Sequence, residues 1–177
     1  LAHRPGLRYA RRRFTSAIRA TDLRALAAWV RIVERLSRGG GLVAYKAHVD
    51  CVNCLFADNH CDGQGGAAAF FDSDVTLTNC TIAAHTPSTP YAVRAEDSTV
   101  KVRNTIVSGY NSSFGTDGRP IEKDHVFEND PQFFCPADGD YRLRPTSACI
   151  DAGNGTLAPA TDFFGHARWD SPTAPNL

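Results

Sequence analysis

Apolar and polar residues alternate with a period of two through the middle of the chain. The segment Val75–Thr78 reads apolar, polar, apolar, polar, and Val100–Arg103 reads in the same order. Successive side chains of a β-strand point to opposite faces of a sheet, so this alternation predicts short strands with one buried face. No helical spacing of apolar residues interrupts these segments.

The strand pattern returns at intervals of 26 and then 25 residues. Three matched columns show this step: Val49, Val75 and Val100; Asn53, Asn79 and Asn104; and Phe56, Ile82 and Val107. A repeat of this length is typical of a solenoid, in which each unit forms one coil on top of the last. We therefore predict an all-β fold, a right-handed parallel β-helix of about four short coils with strands about 4.8 Å apart.

Stacked coils place equivalent side chains above one another. The predicted interior columns are Val49/Val75/Val100, Cys51/Leu77/Val102 and Leu42/Ala68/Val93. Asn53, Asn79 and Asn104 follow the second strand of each coil. Asn tolerates the left-handed backbone of a sharp bend, and stacked amides can hydrogen-bond to one another. We predict a structural Asn ladder along this line.

The N-terminal segment shows a different pattern. Leu23, Leu26, Val30 and Val33 follow Thr21 at helical spacing, and the triple glycine at 39–41 would end such a helix. This spacing predicts an amphipathic helix that caps one end of the solenoid. The predicted organisation is therefore a basic leader and helix over residues 1–38, β-helix coils over 39–153, and a C-terminal loop and tail over 154–177.

The charge distribution agrees with separate segments. The chain carries 19 Lys+Arg and 19 Asp+Glu, but residues 1–40 hold ten Arg against only two acids. A basic segment allows binding to an anionic polymer, but a capping helix with solvated arginines is the favoured interpretation, and nothing indicates a specific nucleic acid. No run approaches about 18 apolar residues, so we expect no transmembrane helix.

Six cysteines leave several interpretations open. Cys54 and Cys80 occupy one column a single coil apart, which suits either a thiol ladder or a disulfide. Cys135 and Cys149 flank a turn and form a second candidate pair. A zinc site at Cys51, Cys54, His60 and Cys61 is disfavoured, because the repeat turns Cys51 into the core. An even cysteine count and three N-glycosylation sequons fit an extracellular location.

Several segments resemble known β-helix families. Phe56–Asn59 followed by Gly65–Ala68 is similar to the paired FxxN and GGA motifs of polymorphic outer membrane proteins. Val75–Ile82 resembles a coil of the pectin-lyase-like superfamily, and Asp130–Gly153 resembles the last coil of secreted bacterial β-helix proteins. The resemblance implies an extracellular or cell-surface β-helix over roughly residues 39–170, and it implies no single activity.

The resemblance also implies that a substrate would lie along the outer face of the first strand of each coil. The outward columns there are Val43/Ala69/Arg94 and Tyr45/Phe71/Glu96. Tyr45, Phe71 and Tyr91 offer rings on which sugars stack, and Asp72 and Asp97 follow at the turn in register with Lys46. We expect a structural and glycan-binding module whose partner is a polysaccharide or cell-surface glycan, with no cofactor or metal.

A lyase or epimerase acting on uronic-acid polymers is the alternative. Arg94 would abstract the proton, with Glu96 as its companion, and carboxylates would hold Ca²⁺ that acidifies this proton. The Asp cluster of calcium-dependent lyases and the Asp pairs of polygalacturonases are missing from the sequence. This favours the non-catalytic interpretation. The oligomeric state stays open.

Overall fold

The computed structural model is a parallel β-solenoid, which confirms the predicted all-β fold class. It describes residues 18–19, 22–26, 29–30, 40–57, 59, 61, 63, 65–84 and 90–168. The chain forms three complete coils, with further strands stacked at both ends. Within the described residues there is no α-helix, and the two helical turns are of the 3₁₀ type.

Each complete coil carries its strands in a fixed order. The first coil holds β4 (Leu42–Tyr45), β5 (His48–Val52) and β6 (Leu55–Ala57); the second holds β7 (Ala68–Phe71), β8 (Asp74–Thr78) and β9 (Thr81–Ala83); the third holds β10 (Tyr91–Glu96) and the long β11 (Thr99–Ser108). The strands beyond them are β1 (Ile18–Arg19), β2 (Asp22–Leu26) and β3 (Trp29–Val30) before, and β12 (Ser112–Thr116) and β13 (Glu122–Phe127) after.

Strands of neighbouring coils pair in parallel with the register that the repeat predicts. The first strands form a five-stranded sheet in the order β1-β4-β7-β10-β12. The second strands pair as β2-β5-β8-β11, and the third as β3-β6-β9-β11. Because β11 continues through the bend at Asn104, it belongs to both faces, and β13 pairs along its length. Val49, Val75 and Val100 are register partners, as expected.

The predicted N-terminal helix is wrong where the structure describes this segment. Asp22–Leu26 and Trp29–Val30 are strands that pair in parallel with β5 and β6. Leu23 is in register with Val49 and Trp29 with Leu55, so the step of 26 residues extends one level further than we recognised. The apolar residues that gave helical spacing also continue the strand columns, and pairing with the edge of a coil decides between the two. Thr21, Val33 and residues 31–39 lie outside the described part.

The interior is a set of buried columns along the solenoid axis. Val49/Val75/Val100, Cys51/Leu77/Val102 and Leu42/Ala68/Val93 are all buried, as predicted. Phe70 stacks between Ala44 and Ala95, its register partners in the neighbouring coils. Two small residues leave room for one large ring, as close packing of the interior requires.

The C-terminal region leaves the solenoid instead of completing another coil. β14 (Phe133–Cys135) and β15 (Asp140–Leu143) form an antiparallel hairpin around a 3₁₀ turn at Pro136–Asp138. The strand predicted at Tyr141–Leu143 is present, but its pairing is local. After it, the chain runs back along the coils through a second 3₁₀ turn, Gly155–Leu157.

Candidate functional site

The first corner of each coil, where the first strand turns into the second, carries one residue in the left-handed region. Lys46, Asp72 and Asp97 have φ values of 49°, 49° and 48°. All three side chains are exposed. The structure therefore places these residues in one row at the solenoid edge, in the register that the sequence predicts.

The outer face of the first strands is more covered than expected. Val43, Ala69 and Arg94 are register partners, and so are Tyr45, Phe71 and Glu96. However, Val43, Ala69 and Phe71 form a separate buried apolar cluster on this face. Alternation shows that a side chain points outward, but it does not show what covers it. The outer face, where a substrate was expected to lie, is therefore buried at these positions.

Two of the three predicted aromatic residues form a pair. The rings of Tyr45 and Phe71 stack with centroids 4.6 Å apart and an interplanar angle of 12°. Tyr45 is 38% exposed, so the outer side of the pair reaches solvent. Tyr91 is not part of the stripe, because it begins its strand and its ring packs over Gly115, where an added Cβ would lie 2.7 Å from ring atoms.

Arg94 and Glu96 form an ion pair on the same face. Arg94 Nε lies 3.2 Å from Glu96 Oε1, and Arg94 Nη1 donates to the carbonyl oxygen of Thr116 at 3.3 Å. The guanidinium also lies 6.0 Å from the centroid of the Tyr91 ring. Arginine stays protonated in proteins, and this one donates to protein acceptors, so its geometry suits holding strands together better than proton abstraction.

The acids of the first corner are spread along the edge. The backbone N–H of Asp97 donates to the carboxylate of Asp117 at 3.2 Å, which ties the third coil to the next level. In the described ranges, no three His, Cys, Asp or Glu side chains are grouped so that they could hold a metal ion. This corner thus presents carboxylates beside the Tyr45–Phe71 pair without gathering them into a cluster.

The second corner, where the second strand turns into the third, carries the predicted Asn ladder. Asn53, Asn79 and Asn104 have φ values of 53°, 52° and 46°, and Asn104 Nδ2 donates to Asn79 Oδ1 at 3.1 Å. His125, with φ 52°, stands at the same register position in β13. Sequence reasoning missed this fourth member because the step from Asn104 shortens to 21 residues and the residue type changes.

The segment Cys149–Arg168, here called the C-terminal strap, covers the ladder. Asn104 Nδ2 donates to the carbonyl of Asn154 at 2.9 Å, and the Asn154 N–H donates back to Asn104 Oδ1 at 2.7 Å. At the other end, Asn53 Nδ2 donates to the carbonyl of Thr161 at 2.9 Å, and Arg168 Nη2 donates to Asn53 Oδ1 at 2.7 Å. The strap therefore runs from the third coil back to the first.

A cavity of about 1030 Å³ lies between the strap and the coils. Its polar lining comes from the ladder and from both ends of the strap, including Asn79, His125 and Arg168. Its apolar lining comes from the third strands and from the middle of the strap, including Ile106 and Pro159. Burial lowers the pKa of Arg168, although the nearby carboxylate of Asp162 acts in the opposite direction.

No disulfide joins any of the six cysteines, all of which lie in the described residues. The Cys54 and Cys80 thiols donate to the carbonyl two residues earlier, each at 3.4 Å, and the Thr105 hydroxyl does the same at 2.8 Å. The thiol ladder therefore forms here in place of a Cys54–Cys80 disulfide. The Cys135–Cys149 pairing is also not made, and the Cys135 thiol instead donates to Asp138 Oδ2 at 3.0 Å.

The core thiols are held in their protonated form. A hydrogen bond with Cys54 and then burial raise the pKa of Cys51 well above its ordinary value. For Cys80, burial is the main cause and the Cys54 hydrogen bond the second. A buried thiol with a raised pKa is a poor nucleophile and a poor metal ligand, so these residues serve the core.

Comparison with known proteins identifies no relative. No family model matches the chain, and no match is found among curated proteins or among solved structures. Function must therefore be argued from the sites themselves. In the described part of the chain, no helix has the length and apolar character needed to cross a lipid bilayer.

Proposed function

We propose that this protein is an extracellular or cell-surface β-solenoid module with a structural and glycan-binding role. The observation that carries the proposal is the stacked Tyr45–Phe71 pair, with Tyr45 38% exposed on the solenoid edge. Aromatic rings offer flat apolar surfaces to the apolar faces of sugar rings. Phe71 is buried and holds Tyr45 in place, so a sugar would meet a rigid surface.

Carboxylates next to the pair support the proposal. Asp72 and Asp97 stand on the same corner with exposed side chains, and Glu96 is the register partner of Phe71. Carboxylates accept hydrogen bonds from sugar hydroxyls without a metal. The extracellular location and the relation to pectin-lyase-like β-helices belong to the same proposal, and their support is the solenoid fold together with the motifs at Phe56–Asn59 and Gly65–Ala68.

Affinity gel electrophoresis over a panel of polysaccharides tests this function. We expect at least one polysaccharide to slow the migration of the full chain, and Tyr45→Ala to abolish the retardation. Phe134→Ala is the matched control, since Phe134 is a 55% exposed ring on the C-terminal hairpin. Equal retardation of Tyr45→Ala and the unaltered chain would contradict sugar binding at the Tyr45–Phe71 pair, here called the glycan platform. No retardation by any polysaccharide would contradict glycan binding altogether.

The second candidate function is a lyase or epimerase on uronic-acid polymers. The observation in its favour is the Arg94–Glu96 pair at 3.2 Å on the outer face of β10, close to the exposed Asp97. Incubation with pectate or alginate and Ca²⁺ should then produce unsaturated sugars that absorb in the ultraviolet if the protein is a lyase, or change the ratio of uronic-acid epimers in the ¹H NMR spectrum if it is an epimerase, and Arg94→Ala should abolish either change. No absorbance change above the rate without protein would end the lyase candidate, and an unchanged epimer ratio would end the epimerase candidate.

A further inference from the structure

The C-terminal strap is fastened at both ends of the Asn ladder and not in its middle. Asn104 makes two hydrogen bonds with the strap, and Asn53 makes three. Asn79 accepts one bond from Asn104, but its Nδ2 donates to no group in the described part of the chain. In a continuous ladder that amide would donate to Asn53 Oδ1, which receives Arg168 instead. The Asn79 Nδ2 donor is thus available to a ligand at the point where the strap lies farther from the coils.

The floor under the arch is one register column of the third strands. Thr81, Ile106 and Phe127 are register partners, so they lie one coil apart along the axis. The roof is the run Ala158–Ala160, whose side chains carry no hydrogen-bonding groups. The space between them, about 1030 Å³, reaches the upper end of the ligand-site range of about 300–1000 Å³. It is large enough for an extended ligand rather than for a few waters.

The lining selects the chemical class of the ligand. Asn79 and Thr81 offer hydrogen bonds at one end of this floor, so a purely apolar ligand would leave them buried without partners. Ile106 and Phe127 offer an apolar surface farther along the same floor. Among the described residues that line the cavity, Arg168 is the only Arg or Lys, and it already donates to Asn53 Oδ1 and to the carbonyl of Pro159 at 2.9 Å, so a strongly anionic ligand finds little positive charge. A flat ligand with hydroxyls on its rim and an apolar face satisfies both the polar and the apolar part of this floor.

We propose that the cavity under the strap binds a short neutral oligosaccharide. A pyranose ring lies with its apolar face on Ile106 and Phe127, while its hydroxyls accept from Asn79 Nδ2 and exchange hydrogen bonds with Thr81. This site is on the second corner, apart from the Tyr45–Phe71 pair on the first. It goes beyond the glycan platform and does not depend on it.

Titration of the ¹⁵N-labelled full chain with cellotriose, followed by NMR, tests this site. We expect the side-chain amide of Asn79 and the backbone amides of Thr81, Ile106 and Phe127 to shift together and saturate. Asn79→Gly should weaken this binding about tenfold, since glycine keeps the left-handed backbone and removes the donor. Tyr45→Ala should leave these shifts unchanged, so failure of the platform and failure of this site are separate results.

Three outcomes would overturn the site. One is the absence of shifts around Asn79 at millimolar cellotriose. Another is unchanged affinity in both Asn79→Gly and Thr81→Val, where the rest of the spectrum reports whether each variant is folded. The third is tighter binding of trigalacturonate than of cellotriose by the same residues, which would assign the cavity to anionic ligands.

Discussion

The two corners share a backbone and differ in what covers them. The left-handed residues of the first corner are charged and exposed, whereas those of the second corner in the three complete coils are asparagines beneath the C-terminal strap. Their φ values span only 46° to 53° across both rows. Stacking of coils therefore determines the left-handed backbone of the turn. Whether the strap covers the corner determines which residue type occupies that turn. Water satisfies an exposed Lys or Asp, while a covered position needs a side chain that donates and accepts at once.

Directly after each left-handed residue, the two corners use the same interior device. Ser73 Oγ accepts from the N–H of Ala47 at 3.2 Å, and Ser98 Oγ accepts from the N–H of Ser73 at 3.1 Å. On the second corner, Thr105 Oγ1 accepts from the N–H of Cys80 at 3.3 Å. These side chains satisfy N–H groups that the bend turns away from the sheet. Both corners are therefore held from inside, and the second is also covered from outside by the C-terminal strap.

The largest expected difference comes from removing the outer contacts. Asn104→Ala deletes three hydrogen bonds and leaves alanine in a left-handed turn, so it should lower the free energy of unfolding by about 3 kcal/mol. Asp97→Ala should cost only about 1 kcal/mol, since its exposed side chain adds little beyond tolerance of that turn. Urea unfolding followed by circular dichroism measures both values.

Asn104→Gly separates the loss of hydrogen bonds from the cost of placing alanine in a left-handed turn. Glycine keeps the turn and loses the hydrogen bonds, so its cost should fall between the two alanine variants, at about 2 kcal/mol. Equal costs for Asn104→Ala and Asp97→Ala would mean that the strap adds no stability to the second corner.

Removing the inner side chain that follows a left-handed residue should lower the free energy of unfolding by a similar amount on either corner. Thr105→Val and Ser98→Ala each leave a buried N–H without its acceptor, so each should cost about 2 kcal/mol. Cys80→Thr should be nearly neutral, because Thr105 occupies the same column one coil later and makes the same bond to the carbonyl two residues back. Thermal unfolding of the three variants checks this, and a costly Cys80→Thr would show that the column is not interchangeable.

The repeat explains why so much of the interior was predictable. Steps of 26 and 25 residues determine the register, and the register determines which side chains share a column. The Asn ladder followed from the same logic, because an asparagine that recurs at a bend has a conformational reason to do so. Both are local properties of a strand or turn that are copied from coil to coil.

What could not be predicted depends on contacts outside the repeat. Leu23, Leu26 and Val30 fit a helix and a strand column equally well, and only pairing with β5 and β6 distinguishes them. The strap binds amide side chains to backbone groups 50 or more residues away, and backbone acceptors carry no sequence signal. The same limit hid the cover over Val43 and Ala69, so the candidate site on the first strands is smaller than expected.

The smallest expected effect is a pH dependence of the free energy of unfolding, to which buried thiols contribute on the second corner but not on the first. The raised pKa values of Cys51 and Cys80 mean that the folded chain keeps protons that the unfolded chain releases near pH 8.5, so stability is full below that pH and falls as the pH rises. Between about pH 7.5 and about pH 9, each thiol should lower the free energy of unfolding by about 0.8 kcal/mol. Cys80→Thr should remove one thiol's share, whereas Ser98→Ala, on the corner that has no thiols, should keep the full pH dependence. Urea unfolding at the two pH values measures this, and equal pH dependence in the Cys80→Thr variant and the unaltered chain would place the titrating groups elsewhere.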